Sequence, residues 1–131
     1  IAEASKLKPT NVFFSYGTND MGMYSGDADA FVEDYSTIIF EFMSICPDAD
    51  IYVNSIAKPS EEKIASGGNF HKWKEFNKKI KNMCDEFGFC YIDNVYILEE
   101  NPNLYAGDGI HVLPEYYPIW ITNMIKKISS C

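Results

Sequence analysis

The chain contains no arginine. All 11 of its basic residues are lysines, and 19 acidic residues give a net charge of −8 at pH 7. Nucleic-acid binding needs clustered lysine and arginine side chains that neutralise phosphates, so we predict no nucleic-acid partner. The composition is 47% apolar and 15% aromatic, which is typical of a chain with a substantial core. A length of 131 residues predicts a single domain, or part of one, over residues 1–131.

Long apolar runs and closely spaced cysteines are also missing. No run approaches the roughly 18 apolar residues that span a bilayer, so we predict no transmembrane segment. The first residue is Ile1 rather than Met, so any export signal would lie upstream and the compartment stays open. The cysteines have no Cys-x-x-Cys spacing, which argues against a structural zinc site. We expect half-buried thiols at Cys46, Cys84 and Cys90, and a frayed one at Cys131.

Apolar periodicity divides the chain into alternating strands and helices. Short apolar runs predict strands, and apolar residues at three- and four-residue spacing predict helices. The predicted strands are residues 11–16, 50–56 and 89–92. The predicted helices are the end of one over residues 1–7, two over residues 28–45 and 70–87, and a last one after Pro114. We expect loops over residues 17–27 and 57–69 and after Asp93. This alternation predicts an α/β fold with a parallel sheet.

The last predicted helix carries a run of apolar side chains. We expect its inner stripe to be formed by Trp120, Ile121, Met124, Ile125 and Ile128.

A Gly-Thr-Asn-Asp motif, Gly17 to Asp20, follows the first predicted strand. Ligands of open parallel sheets bind outside the carboxyl ends of the strands. Gly17 allows a tight turn there, and the amide of Asn19 can stabilise a developing oxyanion. The alternative is an ordinary strand-to-helix turn, in which Gly, Asn and Asp are common.

A second motif, Asp108-Gly109-Ile110-His111, precedes the last predicted helix. A carboxylate three residues before a histidine can accept the Nδ1 proton and leave Nε2 free as a general base. A chance match is the alternative for an isolated pair. The chain's other histidine, His71, lies among lysines and is expected to be solvated.

Together, the two motifs and the order of the strands resemble the SGNH (GDSL-type) hydrolases, a family of esterases, lipases and deacetylases. The resemblance covers essentially the whole chain. It implies a flavodoxin-like, three-layer α/β/α sandwich of strand order 2-1-3-4-5, of which the third to fifth strands are present here. It also implies that His111 is the catalytic base, Asp108 its orienting carboxylate and Asn19 an oxyanion-hole donor. No metal or organic cofactor is implied.

The chain departs from this family at the nucleophile. It has no Gly-Asp-Ser block, and neither Ser15, placed in the first strand, nor Ser25, in the following loop, has the family's nucleophile context. We therefore interpret it as the C-terminal part of an SGNH domain whose serine lies upstream, and expect this chain alone to be inactive. The alternatives are a carbohydrate O-acetyltransferase and a non-catalytic binding module on the same scaffold.

Several other residues could contribute to a site. Gly17, Tyr105 and Tyr116 are candidates for a substrate pocket, with Tyr117 and Trp120 beside them, although these aromatic residues could equally be core. Asp27 and Asp29 could suggest calcium, but helix capping explains them better.

The expected partner is a small-molecule or carbohydrate ester. A macromolecular partner is expected at the strand that begins at Asn11 and ends at Tyr16. In the family this strand pairs with the nucleophile strand, so here it would be an open edge that pairs with a second copy or with an N-terminal fragment.

Overall fold

Three short parallel strands form the centre of the structure, a computed structural model that describes residue 3 and residues 6–131. Strand β1 is Asn11–Phe14, β2 is Asp50–Asn54 and β3 is Cys90–Ile92, in the order β1-β2-β3. Asn11 is in register with Asp50, and Tyr52 with Cys90. The predicted α/β class with a parallel sheet is confirmed. The helix predicted over residues 1–7 lies largely outside the described residues.

Two long helices cover one face of this sheet. They are α2 (Ala28–Ile45) and α4 (Trp73–Phe87), and both were predicted from their periodicity, although residues 70–72 of the second form a 3₁₀ turn. Asp27 caps α2 by accepting a hydrogen bond from the Ala30 N–H at 3.1 Å, and Gly88 ends α4 in the left-handed region. Their buried side chains share one core with the sheet residues Phe14, Ile51 and Val53.

The helix α6 (Tyr116–Ile128) lies against the opposite face. Side chains alternate along a strand, so Tyr52, Asn54 and Cys90 point away from the main core. Met124 Sδ lies 3.4 Å from the Asn54 amide nitrogen, and a disulfide joins Cys90 to Cys131 with a Cα–Cα distance of 5.8 Å. The C-terminal segment is therefore fastened directly to the sheet.

That disulfide corrects our expectation of four thiols. The sequence separation is 41 residues, and only the folded chain brings the two cysteines together. Cys46 and Cys84 are buried rather than half-buried, which is common for cysteines that behave as small apolar side chains.

Three short helices interrupt segments that we predicted as loops. They are α1 (Asp20–Met23), α3 (Glu61–Ala65) and α5 (Val95–Glu100). None exceeds six residues, so none contains enough turns to show helical periodicity. Strands β1 and β2 each end two residues earlier than predicted.

The predicted inner stripe of α6 is wrong in part. Ile121 is 48% exposed and Ile125 63% exposed, whereas Tyr116 and Asn123 are buried. Asn123 faces inward because its side chain is hydrogen-bonded to the buried side chain of Asn94, which follows β3. Within the described residues, no helix has the length and apolarity required to cross a membrane.

Candidate functional site

The turn after β1 is shaped by Gly17. This residue has φ of +135°, and a Cβ atom there would lie 2.4 Å from Ile56 Cδ1. Only glycine tolerates both the conformation and the close approach. The turn is thus pressed against the segment that follows β2, which brings two strand ends together.

Asn19 lies directly before α1. It is exposed, and its side chain does not cap the helix. Its neighbour Thr18 lines the cleft that contains His111, but Asn19 itself does not. The predicted role of this amide as an oxyanion donor stays a prediction.

The Asp108–His111 motif forms a closed turn. Asp108 Oδ1 accepts the backbone N–H groups of Ile110 at 2.9 Å and His111 at 2.8 Å. Its other oxygen, Oδ2, is hydrogen-bonded to His111 Nδ1. The side chain of Asp108 thus fixes both the backbone and the imidazole, which leaves Nε2 directed away from the carboxylate.

These hydrogen bonds control the charge of Asp108. The hydrogen bond with His111, followed by those from the two backbone N–H groups, holds the pKa of the Asp108 carboxyl well below its usual range. The side chain is 44% exposed, so the cause is hydrogen bonding rather than burial. Asp108 is therefore a carboxylate at neutral pH and well into the acidic range.

The rest of the turn is docked by backbone contacts. Tyr105 and Val112 form an antiparallel bridge, and the Ser60 N–H donates to the Gly109 carbonyl at 2.9 Å. Gly109 has φ of +71°, and a Cβ there would lie 2.2 Å from Ser60 Oγ. The motif therefore rests on the N-terminus of α3, which fixes the position of His111.

His111 lies in a cleft of about 210 Å³ at the carboxyl ends of the strands. The cleft combines hydroxyl groups, an imidazole and aromatic rings. Its lining includes Ser15, Tyr16, Thr18, Ser55, Ile56, Tyr116, Tyr117 and Trp120. Burial raises the pKa of Tyr116 to about 12, so that phenol stays protonated. Of the three predicted pocket residues, Tyr116 is thus placed beside His111.

Tyr105 and Gly17 are placed elsewhere. Tyr105 lines a separate, larger cavity of about 640 Å³ between α3 and the Asp108 turn, and its hydroxyl donates to the carbonyl of Lys58. Gly17 is buried and lines neither cavity. The three residues do not form one pocket.

A chain of buried amides, which we call the asparagine chain, runs beneath the cleft. It consists of Asn123, Asn94 and Asn54, each at most 4% exposed. The Asn123 amide donates to Asn94 Oδ1 at 2.7 Å, and the Asn94 amide donates to Asn54 Oδ1 at 2.7 Å. The Asn54 amide then donates to Ser15 Oγ at 2.9 Å.

The asparagine chain was not predicted from the sequence, and Ser15 was considered only as a nucleophile. A signal was present, because a polar residue follows or ends each strand: Ser15 after β1, Asn54 at the end of β2 and Asn94 after β3. The strand register, continued by one residue, places Ser15 beside Asn54, whereas Asn54 itself is in register with Ile92, two residues before Asn94. Ser25, in contrast, is exposed and lines neither cavity.

The carboxylates considered for calcium have other roles. Asp27 caps α2, and Asp29 forms an ion pair with Lys79 at 3.0 Å. Among the described residues, no group of three or more His, Cys, Asp or Glu side chains could hold a metal ion.

Comparison with known proteins gives no family assignment. No family model matches the chain, and no curated protein matches it. The resemblance to SGNH hydrolases therefore stays a prediction from the two motifs and the order of the strands.

Proposed function

We propose that this chain is the C-terminal part of an SGNH-type serine ester hydrolase. The observation that carries the proposal is the Asp108–His111 hydrogen bond at a cleft formed by the carboxyl ends of parallel strands. This is the arrangement that a histidine base requires: one nitrogen held by a carboxylate and the other available to a nucleophile.

The sheet supports the same proposal. Its order β1-β2-β3, with every pairing parallel, fits the third, fourth and fifth strands of a flavodoxin-like sheet of order 2-1-3-4-5. In such a sheet β1 would pair with the strand that carries the nucleophile. That strand would bring a serine to the cleft that His111 lines.

The reaction would follow the serine esterase scheme. The serine Oγ attacks the ester carbonyl carbon, and His111 Nε2 takes the hydroxyl proton and passes it to the leaving alcohol. Water, activated by the same imidazole, then hydrolyses the acyl-enzyme and releases the carboxylic acid. Asp108 stabilises the imidazolium, and Asn19 donates to the oxyanion. The substrate is a small-molecule or carbohydrate ester.

The test uses the parent reading frame, with the residues encoded upstream, and p-nitrophenyl acetate as substrate. We expect a Gly-Asp-Ser block upstream, and turnover that His111→Ala lowers by about 10⁴- to 10⁶-fold, as loss of a triad member does in serine proteases. The matched control is His71→Ala, because His71 is exposed and lies outside the cleft. This 131-residue chain alone should hydrolyse the ester no faster than free imidazole.

Other outcomes would identify the alternatives. A parent protein without the serine block and without turnover would contradict the proposal and favour a binding module. Transfer of the acetyl group to a sugar in preference to water would favour an O-acetyltransferase. If the isolated chain shows turnover that His111→Ala abolishes, the nucleophile lies within it, and Ser15 rather than Ser25 would be the first residue to test.

A further inference from the structure

The asparagine chain has a single direction. It begins at the Tyr96 hydroxyl, which donates to Asn123 Oδ1 at 3.0 Å. Each following amide donates to the next oxygen, and the last one donates to Ser15 Oγ. Hydrogen bonds aligned head to tail polarise one another, so the final N–H is a stronger donor than an isolated amide.

This direction decides what the Ser15 hydroxyl can do. A serine hydroxyl has one proton and two lone pairs. Because Ser15 Oγ accepts from Asn54, its oxygen is drawn towards the buried side, and its proton is available to the cleft that Ser15 lines with His111. Ser15 is exposed, so a ligand in the cleft can reach this proton.

The chemistry of the cleft favours an uncharged or singly charged oxygen acceptor. Of its lining residues, only His111 can become positively charged, and no lysine is among them. The aromatic walls supplied by Tyr116, Tyr117 and Trp120 are suited to a small apolar substituent. A volume of about 210 Å³ is enough for a short acyl group.

We propose that the Ser15 hydroxyl binds the acyl oxygen of the ligand in the His111 cleft, and that the asparagine chain holds it in the donating orientation. The ligand class is a short acyl group, bound as the ester carbonyl before reaction and as the carboxylate afterwards. This inference rests on the proposed function. Ser15 would touch the substrate, whereas Asn54, Asn94 and Asn123 are positioning residues that act through it.

The first test measures binding to the chain as it is, without a nucleophile. Acetate and acetamide are titrated while the amide and imidazole NMR signals of Thr18 and His111 are followed. We expect saturable shifts with both probes, and a dissociation constant that Ser15→Ala raises by about tenfold, the effect of one well-placed hydrogen bond. Ser15→Thr, which keeps the hydroxyl, should bind like the wild type.

The controls separate binding from folding. Ser44→Ala removes an exposed hydroxyl on α2 that donates to the Glu41 carbonyl and does not line the cleft, so it should leave binding unchanged. Asn123→Ala breaks the asparagine chain at a residue that does not line the cleft, and should weaken acetate binding about two- to threefold while Ser15 stays in place. If Ser15→Ala binds both probes as tightly as wild type, or if neither probe saturates, the inference is wrong.

The second test separates this inference from the proposed function. In the active parent protein, Ser15→Ala should lower kcat/KM for p-nitrophenyl acetate by about tenfold, and Ser15→Thr should restore it. Parent protein that binds acetate through Ser15 but has no turnover would contradict only the hydrolase. Turnover that is indifferent to Ser15→Ala would contradict only the role of Ser15.

Discussion

Asp108 illustrates how a single exposed residue can organise a site. Its two oxygens accept three hydrogen bonds from within the same four-residue turn. All of these partners are within three positions in sequence, so the contact could be predicted from the Asp-x-x-His spacing alone. The hydroxyl of Ser15 and the amide of Asn54 meet across two strands, and no local pattern predicts such a pairing.

The charge of Asp108 gives a prediction about pH. A carboxyl pKa below the ordinary value of 3.8 means that the turn gains stability above that pH and loses it only as the pH falls through the lowered pKa. Titration of the Asp108 carboxyl carbon by NMR should give a midpoint below 3.8. In His111→Ala the midpoint should rise but stay depressed, because the two backbone N–H donors remain. The exposed His71→Ala is the control, and an identical midpoint in all three proteins would contradict this account.

A second residue-scale prediction concerns Gly17. Gly17→Ala should destabilise the fold by about 2–4 kcal/mol, because it adds both backbone strain and an overlap with Ile56. Gly67→Ala is the matched control, since Gly67 also has positive φ, +98°, but a Cβ atom there would have nothing within 4 Å. Urea unfolding of both variants checks the difference. If both variants lose the same free energy of unfolding, the close approach of residue 17 to Ile56 contributes nothing to the destabilisation.

At the scale of elements, the length of a helix determines whether its apolar periodicity can be recognised in the sequence. The helices α2 and α4, of 18 and 15 residues, repeat their apolar pattern several times and were predicted. The helix α1 has four residues and buries Met21 completely, yet one turn has no period to recognise. In α6 the apolar pattern gave a prediction that is wrong in part. Ile121 and Ile125 face outward, and Asn123, a member of the asparagine chain, faces inward.

The disulfide is the element-scale feature with the largest expected effect on stability. It closes a loop of 41 residues that contains Asp108, His111 and α6. In the chain-entropy description, such a loop contributes about 4 kcal/mol. Cys131→Ser should lower the free energy of unfolding by about this amount in a denaturant titration.

Reduction provides the control for that experiment. Wild-type protein in dithiothreitol should unfold together with Cys131→Ser, since both lack the same bond. Equal stability of the oxidised wild type and the variant would contradict a structural role for the bridge.

At the scale of the whole molecule, the β1 edge of the sheet is open. Within the described residues, β1 pairs only with β2. In α6, the helix on the opposite face of the sheet, Ile121 and Ile125 are exposed. An open strand edge together with exposed isoleucines gives a surface that pairs readily with another chain.

We predict that the isolated chain forms a dimer through this surface. Light scattering should give twice the chain mass of 14.9 kDa. The double variant Ile121→Lys, Ile125→Lys should be monomeric, because it places four like charges across a two-fold interface. Ile45→Lys, which alters an isoleucine that is 51% exposed at the end of α2, should remain dimeric. A wild-type monomer at about 100 μM would refute this assembly.

The parallel sheet also determines how quickly the chain can fold. Asn11 pairs with Asp50 and Tyr52 with Cys90, so every contact between strands joins residues almost forty positions apart. The three described strands contain no hairpin that could begin the sheet, and each pairing requires a long loop to close before its contacts form. Folding in milliseconds to seconds is therefore expected. The local turns of α2 and α4 should form first, and the cleft at the carboxyl ends of the strands should form late.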